Sequence, residues 1–193
     1  YLQRRGLSVR VVWFRWRALL LYAIYLLSKI RGLCRWIRLP NGRRIRVHFI
    51  ETDKVLSFIY PYFLFIDLVI SYLLYRIVDS FRNVNVIIYD RCPLDTLVDV
   101  CYIRRRSGLR FERVLLKLYL SFTFTLTENI IVLDVSENVA LSRKDDIVSL
   151  RELTFKRRLF RVLSRVLRLH LTDTSDKDIA STLRDILTNI KIP

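Results

Sequence analysis

Residues 85–99 read NVIIYDRCPLDTLVD. The run Asn85–Tyr89 is short, apolar and rich in β-branched residues, which predicts a buried strand. It ends abruptly at the charged pair Asp90-Arg91. Asp95–Arg106 should follow as a helix, closed by Ser107-Gly108. A buried strand that runs through a charged turn into a helix is the repeating unit of α/β folds.

The flanking sequence repeats this alternation. Gly6 should stop a helical tail at residues 1–5, as a glycine just past a helix C-terminus does. Leu7–Phe14 (LSVRVVWF) reads as a strand and Ala18–Ile30 as a buried helix. Within Ile37–Phe49, Pro40-Asn41-Gly42 separates two alternating runs, the pattern of a β-hairpin. Downstream, Phe111–Phe122 should be a helix and Ile130–Val135 a strand. Ser136 should cap a helix over 137–143. Ser149-Leu-Arg-Glu152 has the form of a capping box and should open a helix to about Arg168. Leu169–Thr172 predicts a last strand, and Ser175–Asp178 the start of a final helix through Asn189. The expected fold is α/β: a three-layer parallel sheet with helices on both faces. Leu7–Phe14, Asn85–Tyr89, Ile130–Val135 and Leu169–Thr172 should be neighbours or near-neighbours in it. By length, residues 1–193 are one domain, with a hairpin or insertion at 31–53.

Val55–Ile77 has two readings. It is almost continuously apolar and long enough to cross a bilayer. Against a span, Asp67 sits at its centre, where a membrane helix is charged about 2.5–3.5 kcal/mol for it, and Pro61 interrupts its first half. Asp67, Ser71, Tyr75 and Asp79 recur every four residues and make one polar stripe. A helix packed on the sheet, with Asp67 turned towards a cleft near Asp90, accounts for this pattern.

The formal net charge is +16, and residues 1–50 hold twelve Arg/Lys with no Asp or Glu. Such a field suits nucleic acid, an anionic membrane or a phosphorylated small molecule. Cys34, Cys92 and Cys101 are widely spaced, and the chain has only two histidines. No zinc site or disulfide framework is expected, and free thiols fit a cytoplasmic protein. There is no methionine, so the sequence is expected to start inside a longer protein.

In parallel sheets ligands bind outside the carboxyl ends of the strands. Those ends carry Arg15, Asp90-Arg91, Asp134 and Asp173. An aspartate there suits a magnesium-bound water or an acceptor, and an arginine clamps phosphate with its forked donors. Asp95, Thr96 and Asp99 are polar positions on the helix that follows. Arg157, Arg161, Arg165 and Arg168 share one helix face. That face, with Arg104–Arg106 and Arg110, is read as a solvated surface able to follow a nucleic-acid backbone. Trp13, Trp16 and Trp36 are core or hairpin residues by default, and stacking platforms on the nucleic-acid reading.

Four stretches, in order, resemble the thymidylate kinase branch of the P-loop nucleotide kinases. YLQRRGLSVRVV at the start resembles the end of the helix after the phosphate loop and then the second strand. IIYDRCPLDTLVD resembles the family's Asp-Arg-Tyr region, with Cys92 in place of the usual tyrosine. LDVSENVALSRKDD (133–146) resembles a strand, turn and helix leading into the basic lid. HLTDTSDKDIASTLRDIL resembles the last strand, the turn beside the adenine and the final helix. The GxxxxGK[ST] phosphate loop and the first strand have no counterpart in the 193 residues.

The resemblance implies ATP- and Mg²⁺-dependent phosphoryl transfer to a nucleoside monophosphate, most simply thymidylate, in an intact parent protein; the 193 residues alone should be inactive. It makes Asp90, Arg91 and Arg143 the catalytic candidates. Arg15, Asp67, Asp95 and Thr96 become acceptor-binding candidates, and Thr174 and Ser175 base-side contacts of ATP. A homodimer is compatible with it. Two alternatives stand beside it. One is a non-catalytic relative that binds nucleotides or nucleic acid through its basic surface. The other is a membrane protein anchored through 55–77, with Ala18–Ile30 as a hairpin partner.

Overall fold

A computed structural model of the chain describes residues 2–14, 19–39, 42–81, 83–127, 129–144, 147 and 149–189. The elements are β1 (Val9–Trp13), α1 (Leu21–Ile30), β2 (Cys34–Arg38), β3 (Arg44–His48), α2 (Lys54–Ser80), β4 (Val86–Asp90), α3 (Pro93–Arg106), α4 (Arg113–Leu126), β5 (Ile131–Asp134), α5 (Glu137–Arg143), α6 (Leu150–Val166), β6 (His170–Asp173) and α7 (Ile179–Asn189). Single 3-10 turns occupy Gln3–Arg5 and Ile50–Thr52. Gly6 ends the first of these at φ +79°, a conformation that glycine adopts without a Cβ clash, and its N–H donates to Gln3 O. The chain forms two compact units, Tyr1–Arg35 with His48–Thr123, and Trp36–Val47 with Phe124–Pro193.

The mixed α/β character matches expectation, and the described strands pair two by two. The described strands form three two-stranded sheets: β1 with β4, β2 with β3, and β5 with β6. β1 and β4 run parallel, with Val9 opposite Val86 and Trp13 opposite Asp90. β5 and β6 are also parallel, with Ile131 opposite His170 and Asp134 opposite Asp173. The hairpin falls where Asn-Gly predicted a turn. Gly42 has φ +81°, and its N–H donates to Leu39 O at 2.9 Å; Pro40 and Asn41 lie outside the described residues.

The first unit is built around α2. Its buried positions include Leu56, Tyr60, Leu64, Asp67, Leu68 and Ser71, a helical repeat of three and four that makes one face. Each fully buried leucine there contributes about 1.5–3 kcal/mol relative to exposure. Asp53 starts the helix by accepting from the Val55 and Leu56 amides at 2.9 and 3.0 Å. The Tyr119 hydroxyl donates to Pro61 O at 2.8 Å and brings α4 onto the same helix. Arg104, 1% exposed, donates to Phe58 O and to Glu112 Oε2 at 3.0 and 3.1 Å, and its guanidinium lies over the Phe58 ring. Arg104 is thus a buried structural group and not part of a solvated basic face.

β1 and β4 pack one face inward, with Val12 and Phe14 at 3% and 1% exposure. Their other face presents Val11, Trp13 and Ile88 at 67%, 58% and 43%. Trp13 is therefore not a core residue.

In the second unit the buried apolar set among the described residues is small: Leu39, Val132 and Ala140. Asp134, Ser164 and Thr172 are buried with them. On β5, Val132 and Asp134 point inward while Leu133 is 56% exposed. Ser149 caps α6 by accepting from Glu152 N, as its sequence predicts. Asp178 does the same for α7 through Ser181 N. Ser136 stands at the N-cap position of α5 without a side-chain cap bond.

Candidate functional site

In the first unit the Asp90-Arg91 turn leaves β4 where the sequence placed it. Asp90 is exposed, and its carbonyl accepts from Phe14 N at 2.9 Å, which continues the ladder past Trp13. Arg91 has φ +76°, a left-handed conformation uncommon for a residue with a Cβ. Cys92 then becomes the N-cap residue and Pro93 the first helical one, where the missing N–H costs nothing. Asp95 reaches back to accept from Cys92 N at 2.9 Å, and its carboxylate lies 3.5 Å from the Arg91 guanidinium. Burial pushes the Asp95 carboxyl above its usual range, against the opposing pull of the Cys92 amide and Arg91. Thr96 is 6% exposed on the next turn. Asp90, Arg91, Asp95 and Thr96 therefore share one strand end and one helix start. The Arg91 side chain, 46% exposed, is the cation of this group that a phosphate can reach. Arg15 lies outside the described residues.

Asp67 belongs elsewhere. Its carboxylate accepts from Leu20 N at 2.9 Å and Leu21 N at 3.0 Å and so caps α1 from across the packed pair. The reason is local. The residues leading into α1, Arg15 to Leu20, contain no Ser, Thr, Asn or Asp to cap it, and a buried helix start needs acceptors for its first amides. The expected cleft-facing carboxylate is thus a structural cap. Of the same stripe, Ser71 donates back to Asp67 O, and Asp79 pairs with Arg10 of β1.

In the second unit the carboxyl ends of β5 and β6 carry a closed charge cluster. Asp134 is 5% exposed. Arg157 donates to its two oxygens at 2.8 and 3.2 Å, and Arg161 adds Nε at 2.9 Å. Burial pulls the Asp134 carboxyl up, but the hydrogen bonds and charges of Arg157 and Arg161 prevail and hold it below the usual carboxylate range. Arg157 also pairs with Glu137. The expectation of a solvated outer face is corrected for Arg157, which turns inward because a buried carboxylate at a strand end requires a cation, while Arg161 stays half-exposed and reaches Asp134 from the surface.

Thr174 and Ser175 build the turn after β6. Thr174 Oγ1 donates to Asp134 O at 2.9 Å, and Ser175 Oγ accepts from Ser136 N at 2.9 Å. Arg143 donates to the carbonyls of Thr174 and Ser175 at 3.0 and 3.2 Å. The structure thus brings Arg143, Thr174 and Ser175 together, as a helix end latched to a turn.

Among protein-family models, curated proteins and solved structures, none matches this chain. Its own chemistry must carry the reading. Among the described residues no group of three or more His, Cys, Asp or Glu is placed to hold a metal ion, and the sequence has no phosphate loop.

Proposed function

We propose that this chain is part of a nucleoside monophosphate kinase whose ATP phosphate cradle comes from residues outside the 193. The observation that carries the reading is the strand pairing. Doubly wound sheets place their first strand centrally, in an order such as 3-2-1-4-5. Without that first strand, such a sheet is two parallel pairs, second with third and fourth with fifth. Setting the hairpin aside, β1 with β4 and β5 with β6 are those two pairs. The exposed apolar faces agree, since parallel strands are ordinarily covered on both sides, and Val11, Trp13, Ile88 and Leu133 are not.

On this reading Arg91, half-exposed beside Asp95 at the start of α3, binds the acceptor phosphate. Asp90 orients the acceptor, with Asp95 and Thr96 beneath. Arg143 takes part only by leaving the carbonyls of Thr174 and Ser175.

The test is a protein carrying the residues encoded upstream of Tyr1. It is expected to transfer phosphate from ATP to thymidylate, with the 193 residues alone inactive. Upstream residues that lack a phosphate loop, or a longer protein that binds neither ATP nor any nucleoside monophosphate, would sink the reading. A second reading then leads, and one observation favours it. The hairpin exposes Arg38, Arg43, Arg44 and Arg46, with Arg46 stacked 4.8 Å from the Trp36 ring centroid. Cations interleaved with an aromatic suit a nucleic-acid strand. Binding of single-stranded DNA that weakens steeply with salt would support it.

A further inference from the structure

The hairpin brings together three side chains that the kinase reading does not use. Cys34 opens β2 and His48 closes β3, and the Cys34 sulfur lies 3.9 Å from His48 Nε2. The other ring nitrogen, Nδ1, is 2.5 Å from Ser28 Oγ at the end of α1. Ser28 is fully buried, and its hydroxyl donates to Tyr25 O at 2.8 Å. A serine hydroxyl has one hydrogen to give. With that hydrogen on Tyr25, Ser28 Oγ accepts from His48, so Nδ1 carries the ring proton. The neutral imidazole then presents the Nε2 lone pair to the Cys34 thiol. The Tyr25 ring, 4.7 Å away between centroids, fixes the imidazole from its face.

A nucleophile, a base within reach of it and a third group orienting the base form the arrangement that activates thiols. We propose that Cys34 is a nucleophilic thiol served by His48, and that it exchanges with low-molecular-weight disulfides bearing carboxylates. The thiol proton passes to His48 Nε2 as the sulfur attacks one disulfide sulfur. The disulfide bond breaks as the Cys34 mixed disulfide forms, and the electron pair leaves on the departing thiolate, which takes the proton back from the imidazolium. One disulfide is consumed and one is formed, so no other oxidant is needed.

Two features select the site and its partner. All three thiols are partly exposed, but Cys34 has the His48 imidazole beside it, whereas burial pushes the Cys92 thiol up to about 12 and the Cys101 thiol up to about 11, which leaves both protonated at neutral pH. The segment 27–49 holds seven Arg/Lys and no Asp or Glu, a field that draws carboxylates.

The test incubates the 193-residue chain with glutathione disulfide at pH 7 and reads adducts by intact and peptide mass. One adduct, on Cys34, is expected, and Cys34→Ser should abolish it. An unassisted thiol is ionised to a few per cent at pH 7, so loss of the base should slow the reaction by about 10- to 30-fold. His48→Gln is expected to show that loss. Ser28→Ala, which removes the orienting group but keeps the ring, should lie between His48→Gln and the parent and serves where His48→Gln fails to fold. Adducts on Cys92 or Cys101, or an unchanged Cys34 rate in both variants, would overturn the proposal. So would a neutral dipyridyl disulfide that gains as much over free cysteine as glutathione disulfide does, since that removes the preference for carboxylates.

Discussion

Arg157 grips Asp134 through two hydrogen bonds, 2.8 Å from Nε and 3.2 Å from Nη2. With few buried apolar residues in its unit, this pair is a main fastening there. Removing the carboxylate leaves Arg157, 15% exposed, facing a buried void, while the half-exposed Arg161 can turn to water. Asp134→Ala should destabilise the second unit by about 2–3 kcal/mol, between the exposed and buried limits for ion pairs. Urea unfolding followed by amide exchange on β5 and β6 measures this.

The same carboxylate sets an acid limit. Its folded pKa is depressed, so the unfolded chain binds the proton more readily. Its contribution is therefore complete above the unfolded carboxylate value, about 3.9, and is lost as pH falls through the lower folded value. The stability gap between the parent and Asp134→Ala should hold steady from about pH 7 to 5 and narrow below about pH 4. A gap that widens on acidification would contradict the assignment.

Asp67→Ala strips the acceptors from Leu20 N and Leu21 N inside the first unit. Hydrogen bonds to a charged group are worth roughly 1.5–3 kcal/mol each. Partial relaxation of the helix start brings the expected loss to about 2–4 kcal/mol. Asp67→Asn keeps one acceptor and should lose about half as much. Hydrogen exchange at Leu20 and Leu21 should accelerate before the rest of α1. If nucleotide affinity in the longer protein drops with no change in stability, the cap assignment fails.

In the longer protein, Arg91→Ala should remove a phosphate clamp worth roughly 1.5–3 kcal/mol, or about 10- to 150-fold in acceptor handling. Arg91→Lys should rescue only part of it, since an ammonium cannot make the forked contact. Arg161→Ala is no neutral control, because Arg161 holds Asp134. The exposed Arg158 of the same helix serves instead, and Arg158→Ala should be close to silent. Steady-state kinetics in the acceptor decide between these outcomes.

The elements were legible because their signals are local. α5 spans 137–143 as read, Gly6 stops the first turn, and Ser149 caps α6. What the sequence hid were partnerships between distant positions. The four-residue stripe located Asp67 on the correct face of α2, yet nothing in residues 55–77 says that α1 lacks its own cap. Arg157 and Arg161 look like a solvent stripe because their spacing is helical, and the buried Asp134 that both hold, and that draws Arg157 inward, lies more than twenty residues away. Cys34, His48 and Ser28 come from three elements and form no motif at all. Asp90, Arg91, Asp95 and Thr96 were found together because a strand end and the next helix start are adjacent in the chain.

The strand pairing also sets an order of events. β1 meets β4 across 77 positions, Val9 to Val86, whereas β5 meets β6 across 39, Ile131 to His170. Each doubling of a closed loop costs about 0.6 kcal/mol in chain entropy, and contacts between distant residues form more slowly. During refolding the β5–β6 ladder should therefore gain protection first, before the segments around α2 have collected. On the ribosome that order reverses, because β4 is complete some forty residues before β5, and the first unit has a head start that dilution from denaturant denies it.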